Sequence, residues 1–299
     1  MTAVSRWAKW PSAALTSGPA RRRRQGRPTS ARVNGAPGVA WSDEEGTAMK
    51  IGVVGKGGVG KTTTSSLLAR ALAERGRRVL AVDTDSNPNL GLSLGLGPEA
   101  TEALAPIPRS MVVGVRGDMT ITELMADYAV PTPEGVQLMS ALRVDEAAAG
   151  CTCGGHASVR SLLGEALDAE TDDTIVDMEA GIEHLSRSGG TLAHADVLVL
   201  VMEASRKAVI TAQRTIGLAQ ELGIERWIGV GNKVDNEETR VALEEMCADH
   251  GVPLDVVLPS DSSLLAAGRR AHRSRPRHQL RPHGREAPPA DRRPTARNP

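Results

Sequence analysis

The stretch Gly55-Lys56-Gly57-Gly58-Val59-Gly60-Lys61-Thr62-Thr63 constrains this chain more than any other. It follows an apolar run, Ile51-Gly52-Val53-Val54, and opens a segment with helical spacing at Leu67, Leu68, Ala71 and Leu72. The order is therefore strand, glycine loop, helix. Gly55, four residues, and then Gly60-Lys61-Thr62 fit the template of a phosphate-binding loop. Backbone from Gly55, Gly57, Gly58, Val59, Gly60 and Thr63 can turn its N–H groups toward an anion, and the helix start adds its positive dipole end. Lys61 supplies a point charge for the β- and γ-phosphates, and Thr62 is placed to ligate Mg2+ through its hydroxyl.

Formal net charge is zero, yet the charge is unevenly spread. Residues 1–48 carry a net +5 and residues 269–299 a net +8, leaving 49–268 at about −13. An acidic central region argues against a nucleic-acid surface there. Three cysteines are too few for a disulfide framework and fit a reducing compartment. No run of 18 apolar residues occurs, and Arg21 to Arg24 lead into no apolar segment, so neither a membrane span nor a secretory signal is expected. The expected location is cytoplasmic.

Three segments are expected. Residues 1–48, rich in Arg, Ala, Ser, Gly and Pro without periodicity, are expected to be disordered, with translation starting at Met49. Residues 49–268 form the domain. Residues 269–299 are rich in arginine and proline and hold one leucine, Leu280, so this tail is also expected to be disordered. A reading-frame shift near residue 269 would account for it.

Within the domain, Val79-Leu80-Ala81-Val82 reads as a strand running into Asp83-Thr84-Asp85. Two aspartates at the end of a buried strand are costly to desolvate unless they meet a metal, a water or a cation, although one could cap a helix. Asn87-Pro88-Asn89-Leu90 reads as a turn into a short helix, and the prolines at 106, 108, 131 and 133 interrupt the chain beyond it. Val136 to Met139 reads as a strand. Thr174-Ile175-Val176-Asp177 is a strand ending in an acid that can hold Mg2+, and Gly181 beyond it offers an N–H to a γ-phosphate. Glu179 between them is either a second acid in hydrolysis or a solvated loop residue.

Ala195 to Met202 is an apolar strand, Ser205 to Leu222 a helix closed by Gly223, and Trp227 to Gly231 a strand ending in Asn232-Lys233-Val234-Asp235. Asn232 is placed to read a nucleotide base, and Asn-Lys-x-Asp is also a guanine-reading pattern. A helix over 237–250 and a strand from Leu254 to Leu258 come next, with Pro259 near the base. Cys247 reads as a packed core thiol.

Cys151-Thr152-Cys153 is the second distinctive element. One Cys-x-Cys fills only part of a tetrahedral shell, and a two-fold axis would complete four sulfurs. Soft thiolates favour Zn2+, Ni2+, Cu(I) or iron–sulfur clusters over Mg2+. Two buried apolar cysteines remain the alternative, and His156 reads better as a helix cap than a ligand.

Lys56, directly after the first glycine, makes the loop resemble the deviant P-loop ATPases, which include the nitrogenase iron protein and the division-site and partition ATPases. That resemblance implies a doubly wound, mostly parallel α/β sheet and an ATP-dependent homodimer in which Lys56 reaches the partner's nucleotide. It implies that Asp85 orients or deprotonates the attacking water, with Lys56 and Lys61 as its catalytic companions and Asp83 in the magnesium and switch network. The Asp83/Asp85 strand also favours ATP over GTP.

Cys151 and Cys153, with Asp177-Met178-Glu179-Ala180-Gly181-Ile182-Glu183-His184-Leu185, further resemble the CooC-type accessory ATPases that deliver nickel to carbon monoxide dehydrogenase. Here the resemblance implies Zn2+ or Ni2+ held by the cysteines at a dimer interface and a carbon monoxide dehydrogenase-like client; the acidic central region and a tail without an amphipathic helix add the expectation of no nucleic-acid or membrane partner. The competing expectations are a partition or positioning ATPase without metal and an iron–sulfur carrier.

Overall fold

The computed structural model describes residues 48–108, 120–141, 171–180 and 192–261. The expectations for Cys151, Cys153, His156 and Gly181, for the helical segment after His156, for residues 1–47 and for the tail lie outside these residues.

Eight strands form one sheet in the order β3-β4-β2-β5-β1-β6-β7-β8. They are β1 (Met49–Val54), β2 (Val79–Asp83), β3 (Val130–Pro131), β4 (Gln137–Ser140), β5 (Asp173–Asp177), β6 (Val197–Met202), β7 (Trp227–Val234) and β8 (Val256–Pro259). All pairings are parallel except β3 with β4. The mostly parallel α/β sheet expected from the sequence is thus present, with one antiparallel strand at its edge.

Every residue of β2, β5 and β6 is buried, which is why β6 and most of β2 are runs of Val, Leu and Ala, while β5 carries Ile175 and Val176 between buried polar ends. A parallel sheet covered on both faces demands that pattern. Among the described residues six helices accompany the strands: α1 (Lys61–Ala73), α2 (Leu90–Ser93), α3 (Pro98–Glu102), α4 (Ile121–Tyr128), α5 (Arg206–Glu221) and α6 (Glu237–His250). Helix α1 packs on β1, β2 and β5, whereas α5 and α6 pack on β6, β7 and each other. Among the described residues no helix is long and apolar enough to cross a membrane.

Caps fix three helix starts. Thr120 and Glu123 form a reciprocal capping box on α4, Ser205 accepts the Ala208 N–H on α5, and Asn236 accepts the Thr239 N–H on α6. Helix α1 begins differently, with Gly60 at its cap position and no side chain capping it. Strand β8 begins at Val256, two residues later than expected; Pro106 and Pro108 lie between α3 and α4, whereas Pro131 belongs to β3 itself.

At the N-terminal edge Arg77 grips Asp173 with two nitrogens, its Nη2 lying 2.8 Å from Oδ1. Arg78 pairs with Asp172 beside it at 2.8 Å. These pairs lock β2 to β5 and so set the level at which both strands end on the opposite edge.

Candidate nucleotide site

Strand order reverses at β1: its successor β2 lies to one side, while β6, β7 and β8 extend on the other. In open α/β sheets the crevice at such a reversal, beyond the C-terminal strand ends, is where ligands bind. The glycine loop leaves β1 at this point. Gly55 has φ +151°, and a Cβ there would stand 2.3 Å from the Val201 carbonyl oxygen. Gly60 has φ +99°, and a Cβ there would meet the Asn232 side-chain nitrogen at 2.3 Å. Both positions require glycine on conformation and on space.

The register levels the acids with this loop. Asp177 stands opposite Val53 of β1 and opposite Asp83 of β2. The Ser65 hydroxyl of α1 donates to Asp177 Oδ1 at 2.9 Å, and the Thr62 hydroxyl bonds the same carboxylate. Burial raises the Asp177 pKa to about 7 and the negative Asp83 adds to it, against the two hydroxyls and Lys61. The cause is a carboxylate in a dry place beside another. Lys61 is itself buried, which lowers its pKa, while Asp177, Asp85 and Glu179 hold it up. Its Nζ donates to the Lys56 carbonyl at 3.4 Å.

Asp83 organises the loop that follows it. Its Oδ1 accepts the Asp85 N–H at 3.0 Å, and its Oδ2 accepts those of Asn89 and Leu90 at 3.0 and 2.9 Å. Burial pushes its pKa up to about 6 against these three donors. Asp85 is half-buried and accepts the Asn87 N–H at 2.9 Å. Thr84 fastens the loop to β5, its N–H and hydroxyl both donating to the Asp177 carbonyl, at 3.0 and 2.8 Å.

Behind the glycine loop, Asn232 donates through Nδ2 to the Val59 carbonyl at 2.8 Å and accepts the Lys233 N–H on Oδ1 at 2.9 Å. Lys233, at φ +59°, is the one non-glycine residue with positive φ among the described residues, and its Nζ donates to the Gly58 carbonyl. Pro259 closes β8 level with Val234.

The structure thus gathers Gly55, Lys56, Gly57, Gly58, Val59, Gly60, Lys61, Thr62, Thr63, Asp83, Asp85, Asp177 and Asn232 on one sheet edge. Sequence reasoning missed Ser65 and Lys233. Ser65 lies one helical turn beyond Thr62, a spacing that could have found it. Lys233 belongs to the Asn-Lys-x-Asp pattern, but nothing in the sequence marks its left-handed backbone or its reach to the Gly58 carbonyl. Chemically, the Thr62 hydroxyl and the Asp177 carboxylate are hard oxygen donors that suit Mg2+, and a buried carboxylate with a raised pKa is one that a divalent cation would stabilise.

A family model, the CobQ/CobB/MinD/ParA nucleotide binding domain, matches residues 51–273. The carbon monoxide dehydrogenase accessory protein CooC of Rhodospirillum rubrum is 38% identical over 200 residues, 62% of this chain and 74% of that protein. An ATP-binding protein of Methanocaldococcus jannaschii is 30% identical over 230 residues, 73% of this chain and 87% of its own. Among solved structures, the septum site-determining protein MinD of Pyrococcus horikoshii, complexed with Mg-ADP, superposes with a TM-score of 0.55 at 21% identity, covering 75% of this chain and 86% of its own. Cobyrinic acid a,c-diamide synthase of Mycobacterium smegmatis, with bound ADP and magnesium, gives 0.55 at 23%, covering 76% and 93%. These two likenesses establish the fold.

Proposed function

This chain belongs to the CobQ/CobB/MinD/ParA nucleotide-binding family and is an ATP hydrolase of CooC type, and on that premise we propose that its hydrolysis drives nickel delivery to carbon monoxide dehydrogenase or a similar enzyme. The observation that carries the reading is the 38% identity to a carbon monoxide dehydrogenase accessory protein, in a chain whose Lys61, Asp85 and Asp177 converge on one loop.

In this reading the loop backbone and Lys61 hold the triphosphate of ATP. Thr62 and Asp177 hold Mg2+, which when bound neutralises charge on the phosphate oxygens. Asp85 orients the attacking water and accepts its proton. Lys56 reaches the nucleotide of a second copy, Gly181 follows the γ-phosphate with its N–H, and Asn232 and Pro259 border an adenine rather than a guanine. Cys151 and Cys153 from two copies form a soft four-sulfur site for the cargo, Ni2+ or Zn2+. Nucleotide turnover moves the cargo only because ATP binds the closed dimer better than the open one.

Sedimentation of the purified protein with Mg2+ and a non-hydrolysable ATP analogue, joined to elemental analysis, tests the proposal. A dimer carrying about one Ni2+ or Zn2+, lost in Cys151→Ser and Cys153→Ser, is expected. A monomer that takes up no soft cation under these conditions would overturn it.

A further inference from the structure

Two loops that approach the phosphate site from different strands are tied by one side-chain pair. The Ser86 hydroxyl, next to Asp85 in the β2 loop, donates to Glu179 Oε1 in the β5 loop at 3.1 Å. Both residues are half-buried, and 93 positions separate them. Immediately after Glu179, Ala180 lies beside the glycine loop, where a Cβ on Gly57 would stand 3.4 Å from the Ala180 Cβ. Glu179 therefore sits where all three loops of the site meet.

Asp85 is restrained mainly from within its own loop. Its N–H is held by Asp83, and its carboxylate accepts the Asn87 N–H. Further along, the Asn89 and Leu90 N–H groups return to Asp83. All of these bonds are internal to the β2 segment. They fix its shape without fixing where residues 85–87 lie against the glycine loop. Thr84 is fastened at the strand end, and Ser86 to Glu179 is the side-chain bond that ties the far side of Asp85 to β5.

We propose that Ser86 and Glu179 are a positioning pair for hydrolysis, with Glu179 acting as a hydrogen-bond acceptor that holds the Asp85 carboxylate over the phosphate loop. This rests on the reading of Asp85 as the water-orienting residue. Glu179 is accordingly neither a second acid in the chemistry nor a solvated loop side chain. What the pair uses is the acceptor oxygen of Glu179, whose charge acts separately on Lys61.

Steady-state ATP hydrolysis by the full-length protein tests this, with fluorescent-nucleotide affinity as the readout for folding and binding. Ser86→Ala and Glu179→Ala should each lower kcat about tenfold, while KM and nucleotide affinity stay within about twofold. The double variant should fall no further than either single one, because both remove the same bond. Glu179→Gln keeps an acceptor oxygen and Ser86→Thr keeps a hydroxyl, so both should retain roughly half of kcat or more. Loss in Glu179→Gln equal to that in Glu179→Ala, with Ser86→Ala unaffected, would make Glu179 a chemical acid and overturn the proposal. Additive losses or unchanged single variants would also overturn it. Asp85→Asn separates the two readings: full activity there removes the premise, whereas a dead Asp85→Asn beside unaffected Ser86 variants removes only the pair.

Discussion

Asn232 reaches back from β7 to hold the Val59 carbonyl of the glycine loop at 2.8 Å. With Lys233 on the Gly58 carbonyl, it forms a strut behind the phosphate cradle. Asn232→Ala should therefore weaken binding of tripolyphosphate as well as ATP, each by roughly tenfold, since about 1.4 kcal/mol is a typical hydrogen-bond loss. Competition titration against a fluorescent nucleotide measures both. An effect on ATP with none on tripolyphosphate would assign Asn232 to the base alone.

The position that faces this strut admits no side chain. Gly60→Ala would hold alanine at φ +99° with its Cβ 2.3 Å from Asn232 Nδ2. Left-handed backbone costs a non-glycine residue about 1–2 kcal/mol, and relieving the contact displaces either the loop or the strut. Nucleotide binding should fall by roughly a hundredfold, read by the same titration.

The arginine pair on the other edge separates a buried ion pair from an exposed one. Asp173 is 2% exposed and Asp172 30%. Arg77→Ala strands a buried carboxylate and should destabilise the protein by about 3 kcal/mol. Arg78→Ala should cost under about 1 kcal/mol. Urea denaturation of the two variants gives the comparison, and equal losses would contradict the difference in burial.

Asp83 and Asp177 make the stability of nucleotide-free protein fall with rising pH. Both have pKa values raised by burial above the ordinary 3.8, to about 6 and about 7. Between these limits the folded state binds more protons than the unfolded chain, so the stabilisation is complete below about pH 4 and lost by about pH 7. Unfolding free energy measured in chelator should decline from about pH 4 to about pH 7 and level off above. A flat profile would mean that the two carboxylates are better solvated than their burial implies.

Much of this site was legible in the sequence because its chemistry is written in short spacings. The glycine loop, the strand ending in Asp83 and the strand ending in Asp177 each announce themselves over fewer than ten residues. Their meeting was legible only through the parallel sheet that levels them. What stayed hidden is of another kind. The donors to Asp83 are backbone N–H groups, which every non-proline residue possesses, so nothing in Asn89 or Leu90 marks them. Ser86 and Glu179 are linked across 93 residues by loop shape alone. Strand β3 is two residues long and carries a proline, too little for an alternating pattern to register.

Asp83, Asp177 and Val53 stand level across three adjacent strands. Successive residues of a strand face opposite ways, so adding or deleting one residue within β2 or β5 would turn a carboxylate to the far face of the sheet. Length changes here act as loss-of-function lesions even where every apolar contact is restored.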